Sequence, residues 1–200
     1  MQAMLFNDNE NILPFNGEVL FFPNAFSAQE SDDLLKYLIE FIEWKHEAIK
    51  MFGRQVMQPR LTAWYGDEGK SYTYSGITMQ PKPFTQHLLT IKERAECLTG
   101  ASFNSALLNY YRDGNDSMGW HRDNEKELGI NPVIASVSFG GTRKFQLRNY
   151  KDKSILRNIM LSHGSLLLMR GEAQHYWEHQ LPKTKAVNGK RINITFRTIK

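Results

Sequence analysis

From residue 103 onward the sequence breaks into short runs in which apolar and polar residues alternate, separated by turn signals. "FNSALLNYYR", "VIASVSF", "RKFQLR", "SILRNIML", "SLLLM" and "RINITFRTI" read as strands, and "DGND", "GG" and "HG" punctuate them. Side chains on a strand point alternately to its two faces, so each run must present its apolar set to a core. Many short strands following a helical region restrict the chain to an α+β arrangement. The expected form is a β-sandwich or jelly roll buttressed by helices.

Two helices are legible before residue 103. Ser27 and Glu30 form an S-x-x-E capping box, and Leu34, Leu35, Leu38, Ile39 and Ile42 recur at helical spacing, which predicts a helix from about Ala28 to Lys45. A second helix fits residues 84–98, with Leu88, Leu89, Ile91, Ala95 and Leu98 as its inner face and Gly100 as its stop. The intervening "MFGRQVMQPRLTAWYGDEGKSYTYSG" is rich in Gly and aromatics and reads as short strands and loops. There is no internal repeat and no linker. With 200 residues and 41% hydrophobic content, one domain with a real core is expected over 1–200.

Cys97 is the single cysteine, which excludes an internal disulfide framework and a cysteine-rich zinc site. The expected setting is a reducing cytoplasm, with neither a secretory signal nor a membrane span. Residues 1–100 hold 9 Lys+Arg and 13 Asp+Glu, and residues 101–200 hold 16 and 8, so the balances are −4 and +8. A basic second half suits a polyanionic partner such as nucleic acid, although an ordinary solvated basic face gives the same count.

The last strand narrows the chemistry. In "RINITFRTI", Arg191, Asn193, Thr195 and Arg197 alternate with Ile192, Ile194 and Phe196. The common meaning of such alternation is a half-exposed strand with its polar face in water. Asn109 and Tyr111 share a face of "LLNYYR" in the same way. If both polar faces line one barrel, its interior holds two guanidiniums, an amide and a phenol. Buried cations cost several kcal/mol each without partners, on the order of what a paired anion would return. A ligand with two carboxylates would satisfy them, because the Arg fork matches a carboxylate in bidentate fashion.

"GWHRDNE" places His121 and Asp123 two apart, so on extended chain both side chains point the same way. A lone His-x-Asp arises too readily by chance to carry an assignment. A third ligand is available in "HYWEHQLP", from His175 or His179. Their spacing of four would suit a helical zinc pair, but Tyr176 follows His175 where that pattern needs Glu. The candidate set is therefore His121, Asp123 and either His179 or His175. Two histidines and one carboxylate suit non-heme Fe(II), because three ligands leave three positions open.

Together these motifs resemble the AlkB family of Fe(II)/2-oxoglutarate-dependent dioxygenases. The resemblance covers roughly residues 50–200. "NYYRDGNDSMGWHRDNE", "SVSFGGTRKFQLR", "HGSLLLM" and "KRINITFR" fall in the family's order and spacing. "PRLTAWYGDEGKSYTYSGITMQPKPF" resembles the branch that repairs alkylated duplex DNA.

The resemblance implies a double-stranded β-helix (jelly-roll) core over 103–200, preceded in 1–102 by helices and a nucleotide-recognition lid. It implies His121, Asp123 and His179 as iron ligands, His179 being preferred because Arg191 follows it by the family's twelve residues. It implies a 2-oxoglutarate site of Asn109, Tyr111, Arg191, Asn193, Thr195 and Arg197, with Arg191 on the distal carboxylate and Arg197 nearer the iron. The cosubstrates would be 2-oxoglutarate and O2, and the products succinate, CO2 and formaldehyde.

The implied reaction is oxidative demethylation of N-alkylated adenine and cytosine in DNA, duplex or single-stranded, by a monomer. A base in a duplex must be flipped out to reach a buried metal. Tyr74 would stack on it, where this branch usually carries Phe, and Tyr72, Ser75 and Glu125 would be polar neighbours. Phe52 lies where the duplex branch carries a wedge that fills the vacated stack. Arg60, Arg143 and Lys144 would touch phosphates. The rival readings are an RNA demethylase, a hydroxylase of a protein or small molecule on the same fold, or a nucleic-acid-binding module without catalysis. The intact set of His121, Asp123, His179, Arg191 and Arg197 argues against the last.

Overall fold

A computed structural model describes residues 10–51, 54–68, 72–74, 77–79, 81–186 and 189–200, with the backbone alone for 49–51, 54, 72–74 and 77–79. The first half of the chain contains β1 (Glu18–Phe22), α1 (Ala28–Phe41), β2 (Ala48–Met51), β3 (Arg54–Met57), β4 (Leu61–Gly66), β5 (Tyr72–Tyr74), β6 (Ile77–Met79) and α2 (Gln86–Thr99). The second half contains β7 (Ser105–Tyr111), β8 (Met118–His121), β9 (Ile134–Gly140), β10 (Arg143–Asn149), β11 (Leu156–Leu161), β12 (Ser165–Arg170), α3 (Ala173–Tyr176), β13 (Trp177–Leu181) and β14 (Arg191–Arg197).

A six-stranded sheet runs in the order β1-β12-β9-β14-β7-β4, and a four-stranded sheet in the order β11-β10-β13-β8. Every pairing in both is antiparallel. β2 with β3 and β5 with β6 form separate hairpins. The boundary expected at 102/103 does not separate the sheets. β1 and β4, both from the first hundred residues, supply the two edges of the larger one, because β7 and β12 need a partner on their open sides.

Two cores follow from the alternation. One face of the larger sheet meets the helices: Ile192, Ile194 and Phe196 of β14 pack with Leu34 and Leu38 of α1 and with Leu88, Ile91 and Ala95 of α2. The opposite face meets the smaller sheet through a second cluster that includes Ile134, Leu147, Leu161, Leu167 and Trp177. β14 sits between β9 and β7, and all seven of its residues are buried. A polar strand face in water is thus excluded: Arg191, Asn193, Thr195 and Arg197 point into the space between the sheets.

α1 has its capping box. The Ser27 hydroxyl accepts from Glu30 N–H at 3.3 Å, and Glu30 accepts from Ser27 N–H at 2.8 Å. The helix expected to reach Lys45 ends at Phe41 instead. Ile42 is extended, the Trp44 indole N–H caps the Leu38 carbonyl at 3.0 Å, and the Lys45 backbone pairs with Thr62 of β4. Sheet pairing at residue 45 overrides helical propensity there. α2 ends at Gly100 with φ 68°, a conformation for which glycine carries no steric cost.

Candidate metal and cosubstrate site

The strand pairing of the smaller sheet brings the proposed ligands together. His121, the last residue of β8, is the register partner of His179 on β13. Their ring centroids lie 4.2 Å apart. Asp123 follows two residues later, and its Oδ1 is 3.9 Å from His121 Nε2. One donor atom from each of His121, Asp123 and His179 lies within 4.8 Å of the others. His175 is exposed on α3, apart from this group. The spacing of four left the two histidines open, whereas the β13 register places His179 inside.

The remaining bonds of His121 and Asp123 leave His121 Nε2 and Asp123 Oδ1 facing each other. His121 Nδ1 lies 2.8 Å from the Gly119 carbonyl, which puts the proton on Nδ1 and the lone pair on Nε2. Asp123 Oδ2 accepts from Arg197 Nη2 at 2.8 Å and Nε at 3.3 Å. Among the described residues, Asp123 Oδ1 and His179 Nδ1 are buried with no hydrogen-bond partner. Buried polar atoms left in that state are costly unless a ligand takes them. Two neutral imidazoles and one carboxylate, with buried donor atoms unclaimed, fit a divalent cation.

The electrostatics agree. Burial alone would raise the Asp123 carboxyl, but Arg197, with His179 and His121, more than offsets this and holds it well below the usual carboxylate range. Burial, with the neighbouring His121, pushes His179 down to about 3. Loss of hydration also lowers His121, against the pull of Asp123. All three groups are therefore in the protonation state that binds metal at neutral pH.

The far end of the pocket belongs to the larger sheet. Arg191 faces Tyr111 across the β14–β7 ladder, and its guanidinium lies 5.2 Å from the centre of that ring. Its Nη2 donates to Ser138 Oγ at 2.9 Å, while its Nε has no hydrogen-bond partner among the described residues. Burial lowers this guanidinium to about 10. Between Arg191 and the triad runs a chain of amides and hydroxyls. Asn193 Nδ2 donates to Ser136 Oγ at 2.7 Å, Asn193 Oδ1 accepts from Thr195 Oγ1 at 3.0 Å, and Asn109 Nδ2 reaches it at 3.4 Å. Arg191, Asn193, Thr195, Arg197, Asn109 and Tyr111 thus line one pocket with His121, Asp123 and His179.

Two basic residues expected on phosphates lie elsewhere. Arg60 is 4% exposed, and its Nε donates to Asn109 Oδ1 at 2.7 Å, so it braces the amide row from below. Arg143 is 3% exposed and donates to the carbonyls of Asp113, Asp116 and Pro182. Its charge is spent on loop carbonyls rather than on a surface. Lys144 is exposed. Glu125 is half-buried just beyond Asp123. Tyr72 and Tyr74 lie on β5 opposite Met79 and Ile77, and their side chains, like Phe52 and Ser75 entirely, fall outside the described residues.

Sequence reasoning missed Ser136, Ser138 and Gln174. The two serines alternate with Ala135, Val137 and Phe139 in "ASVSF", the same period of two that marked β14, but serine is too neutral in strands to stand out. Gln174, which accepts from Asp123 N–H at 2.9 Å, carries no sequence signal at all.

A jelly roll with two histidines and one carboxylate at the end of a buried polar row defines a facial-triad protein of the non-heme iron type. The model of the 2OG-Fe(II) oxygenase superfamily matches residues 18–197. The chain belongs to that superfamily and, within it, to the AlkB family. It is 42% identical over 190 residues to the alpha-ketoglutarate-dependent dioxygenase alkB homolog 3 of Rattus norvegicus, a match covering 90% of this chain and 64% of that protein. It is 41% identical over 185 residues to the DNA oxidative demethylase ALKBH2 of Homo sapiens, covering 87% and 70%. The chain thus spans about two thirds of the length of these relatives. The solved structure of OsALKBH1 superimposes with a TM-score of 0.67 at 15% identity, over 90% of this chain and 97% of that one, and supports the jelly-roll fold. Fe(II), 2-oxoglutarate and O2 are the family's reactants. No helix among the described residues is long and apolar enough to cross a membrane.

Proposed function

We propose that the protein is an Fe(II)/2-oxoglutarate-dependent dealkylase that removes N-alkyl groups from adenine and cytosine in DNA, acting as a monomer where the genome lies. The observation that carries this reading is the arrangement of one pocket: the His121–Asp123–His179 face at one end and the buried guanidinium of Arg191 at the other. The names of relatives at about 40% identity, which include a DNA oxidative demethylase, support the substrate class.

Bound Fe(II) with 2-oxoglutarate and O2 supplies the oxidising power: the keto acid becomes succinate and CO2, and the N-methyl carbon is hydroxylated and leaves as formaldehyde. The protein's own part is positioning. His121, Asp123 and His179 would hold the metal. Arg197 fixes the Asp123 carboxylate through Oδ2 and leaves Oδ1 for the metal. Arg191, supported by Ser138 and Tyr111, would receive the distal carboxylate of the keto acid, for which its buried guanidinium is suited. Asn109, Asn193 and Thr195 fix the row between the two ends. Leu107, Met118, Phe145, Leu161, Met169 and Leu181 wall the pocket and exclude water.

For the base, Tyr74 serves as a stacking platform, with Tyr72, Ser75 and Glu125 as polar neighbours, and Phe52 as the wedge in duplex DNA. Turnover on a panel of N-methylated oligonucleotides, single-stranded and duplex, DNA and RNA, tests this. Succinate formation coupled to restored adenine or cytosine in DNA is the expected result. Turnover confined to RNA, to a protein or to a small molecule would replace the substrate, and binding without succinate would replace the enzyme.

A further inference from the structure

Asp123 lies just past the end of β8, where strand pairing has stopped. Its backbone N–H is taken by a side chain instead, Gln174 Oε1 at 2.9 Å. Gln174 is 1% exposed. A buried primary amide is costly unless bonded, and only its oxygen can accept from an N–H, so its orientation is set by that contact. Its Nε2 then faces the Met169 thioether at 3.7 Å, a weak acceptor on the pocket wall.

Gln174 lies on α3, which runs directly into β13 and hence into His179, five residues later. A second bond joins the same two segments, from Arg122 Nη1 to the His175 carbonyl at 3.1 Å. α3 is itself seated on the N-terminal segment. The backbone at Gly17 passes so near that a Cβ there would lie 2.4 Å from Ala173 N, and the Trp177 indole donates to the Phe15 carbonyl at 3.1 Å.

We propose that Gln174 is a positioning residue for Asp123: a buried amide strut that ties the His121–Asp123 arm of the triad to the His179 arm and so tightens metal binding, a role that rests on the metal-site reading above. Asp123 is held at two points, its N–H by Gln174 and its Oδ2 by Arg197, which leaves Oδ1 with one direction to point. Without the strut the main chain at Asp123 can turn, and the carboxylate is free to rock toward Arg197 and away from the metal. Partners of this kind behind a ligand typically govern about tenfold or more in metal affinity.

The test is a Co(II) titration of the full chain, followed by the visible absorption of the bound ion, for wild type, Gln174→Met and Asp123→Ala. Wild type should bind one Co(II) and Asp123→Ala should lose it. Gln174→Met, close in volume but without the acceptor, should bind about tenfold more weakly with a shifted absorption band. A role limited to satisfying a buried N–H would lower the melting temperature of the metal-free variant and leave affinity and band unchanged, which would overturn the proposal. Backbone amide exchange on the metal-free wild type gives a second reading that needs no variant. The Asp123 N–H should be protected, and exchange at the rate of an open loop would also overturn it. If wild type itself bound no Co(II), the metal-site reading would fall, a result distinct from failure of the strut alone.

Discussion

Arg191 shows how one side chain is held in readiness for an anion. Its guanidinium is buried, donates to Ser138, lies beside the Tyr111 ring and carries an Nε without a hydrogen-bond partner among the described residues. A carboxylate placed there gains a charge-assisted contact worth roughly 1.5–3 kcal/mol. Arg191→Ala should therefore raise the 2-oxoglutarate requirement by about tenfold to a hundredfold and leave that for DNA nearly unchanged. An unaltered 2-oxoglutarate titration would remove the residue from the site. His175→Ala should keep turnover and His179→Ala should lose it, since only His179 shares the pocket with His121 and Asp123. Much of this was legible in the sequence, because a strand that puts Arg, Asn, Thr and Arg on one face and Ile, Ile and Phe on the other leaves few physical solutions. Arg60 was not legible. Nothing local distinguishes a guanidinium that braces Asn109 from one that meets a phosphate, since the contact joins residues 49 apart in the chain.

Among the elements, the loop between β7 and β8 governs how the His121 arm leaves the sheet. Arg112 donates to Asp116 Oδ2 from its Nε at 2.7 Å and to Oδ1 from its Nη2 at 2.8 Å. Arg143 ties the Asp113 and Asp116 carbonyls to Pro182, just past β13. Arg143→Met should destabilise the fold by about 3–5 kcal/mol, because three carbonyls lose a charged donor in a buried place. The salt dependence of nucleic-acid binding should stay as in wild type, and a reduced salt slope with an unchanged melting temperature would restore Arg143 to the surface. Burial alone raises the Asp116 carboxyl, but the Arg112 bonds more than offset it and hold it below its ordinary value. A carboxyl lowered by folding lends stability above its unfolded value of about 3.9 and loses it as pH falls through the folded one. The melting-temperature difference between wild type and Asp116→Asn should thus be largest near neutral pH and shrink in acid below about pH 4. A difference independent of pH would mean that the charge does not matter. The capping box of α1 and the Gly100 stop of α2 were readable because caps are local chemistry. The early end of α1 was not, because Lys45 leaves the helix to pair with Thr62, far along the chain.

On the scale of the whole molecule, two sheets built largely from the second half of the chain enclose the site, and strands from the first half close the edges of the larger one. The ligands come from the smaller sheet and the cosubstrate row from the larger, so the reacting centre lies where the two meet. The sequence pattern conveys strands and faces, but not which strands adjoin. That is why the jelly roll was legible while the places of β1 and β4 at the edges of the larger sheet were not. The proposed recognition of the base by Phe52, Tyr72, Tyr74 and Ser75 is tested by substitution. Phe52→Ala should impair duplex repair much more than single-strand repair, since only a duplex leaves a vacated stack to fill. Tyr74→Ala should impair both, by about 1–3 kcal/mol. Equal losses on both substrates for Phe52→Ala would remove the wedge.

The most direct measurement is the stoichiometry of turnover on DNA carrying N-methylated adenine or cytosine, with Fe(II), 2-oxoglutarate and O2 supplied. Succinate, formaldehyde and restored base should appear one for one in wild type, and all three should vanish together in Asp123→Ala while its metal-free fold persists. Base restoration that continues without 2-oxoglutarate, or turnover undiminished in Asp123→Ala, would contradict the account.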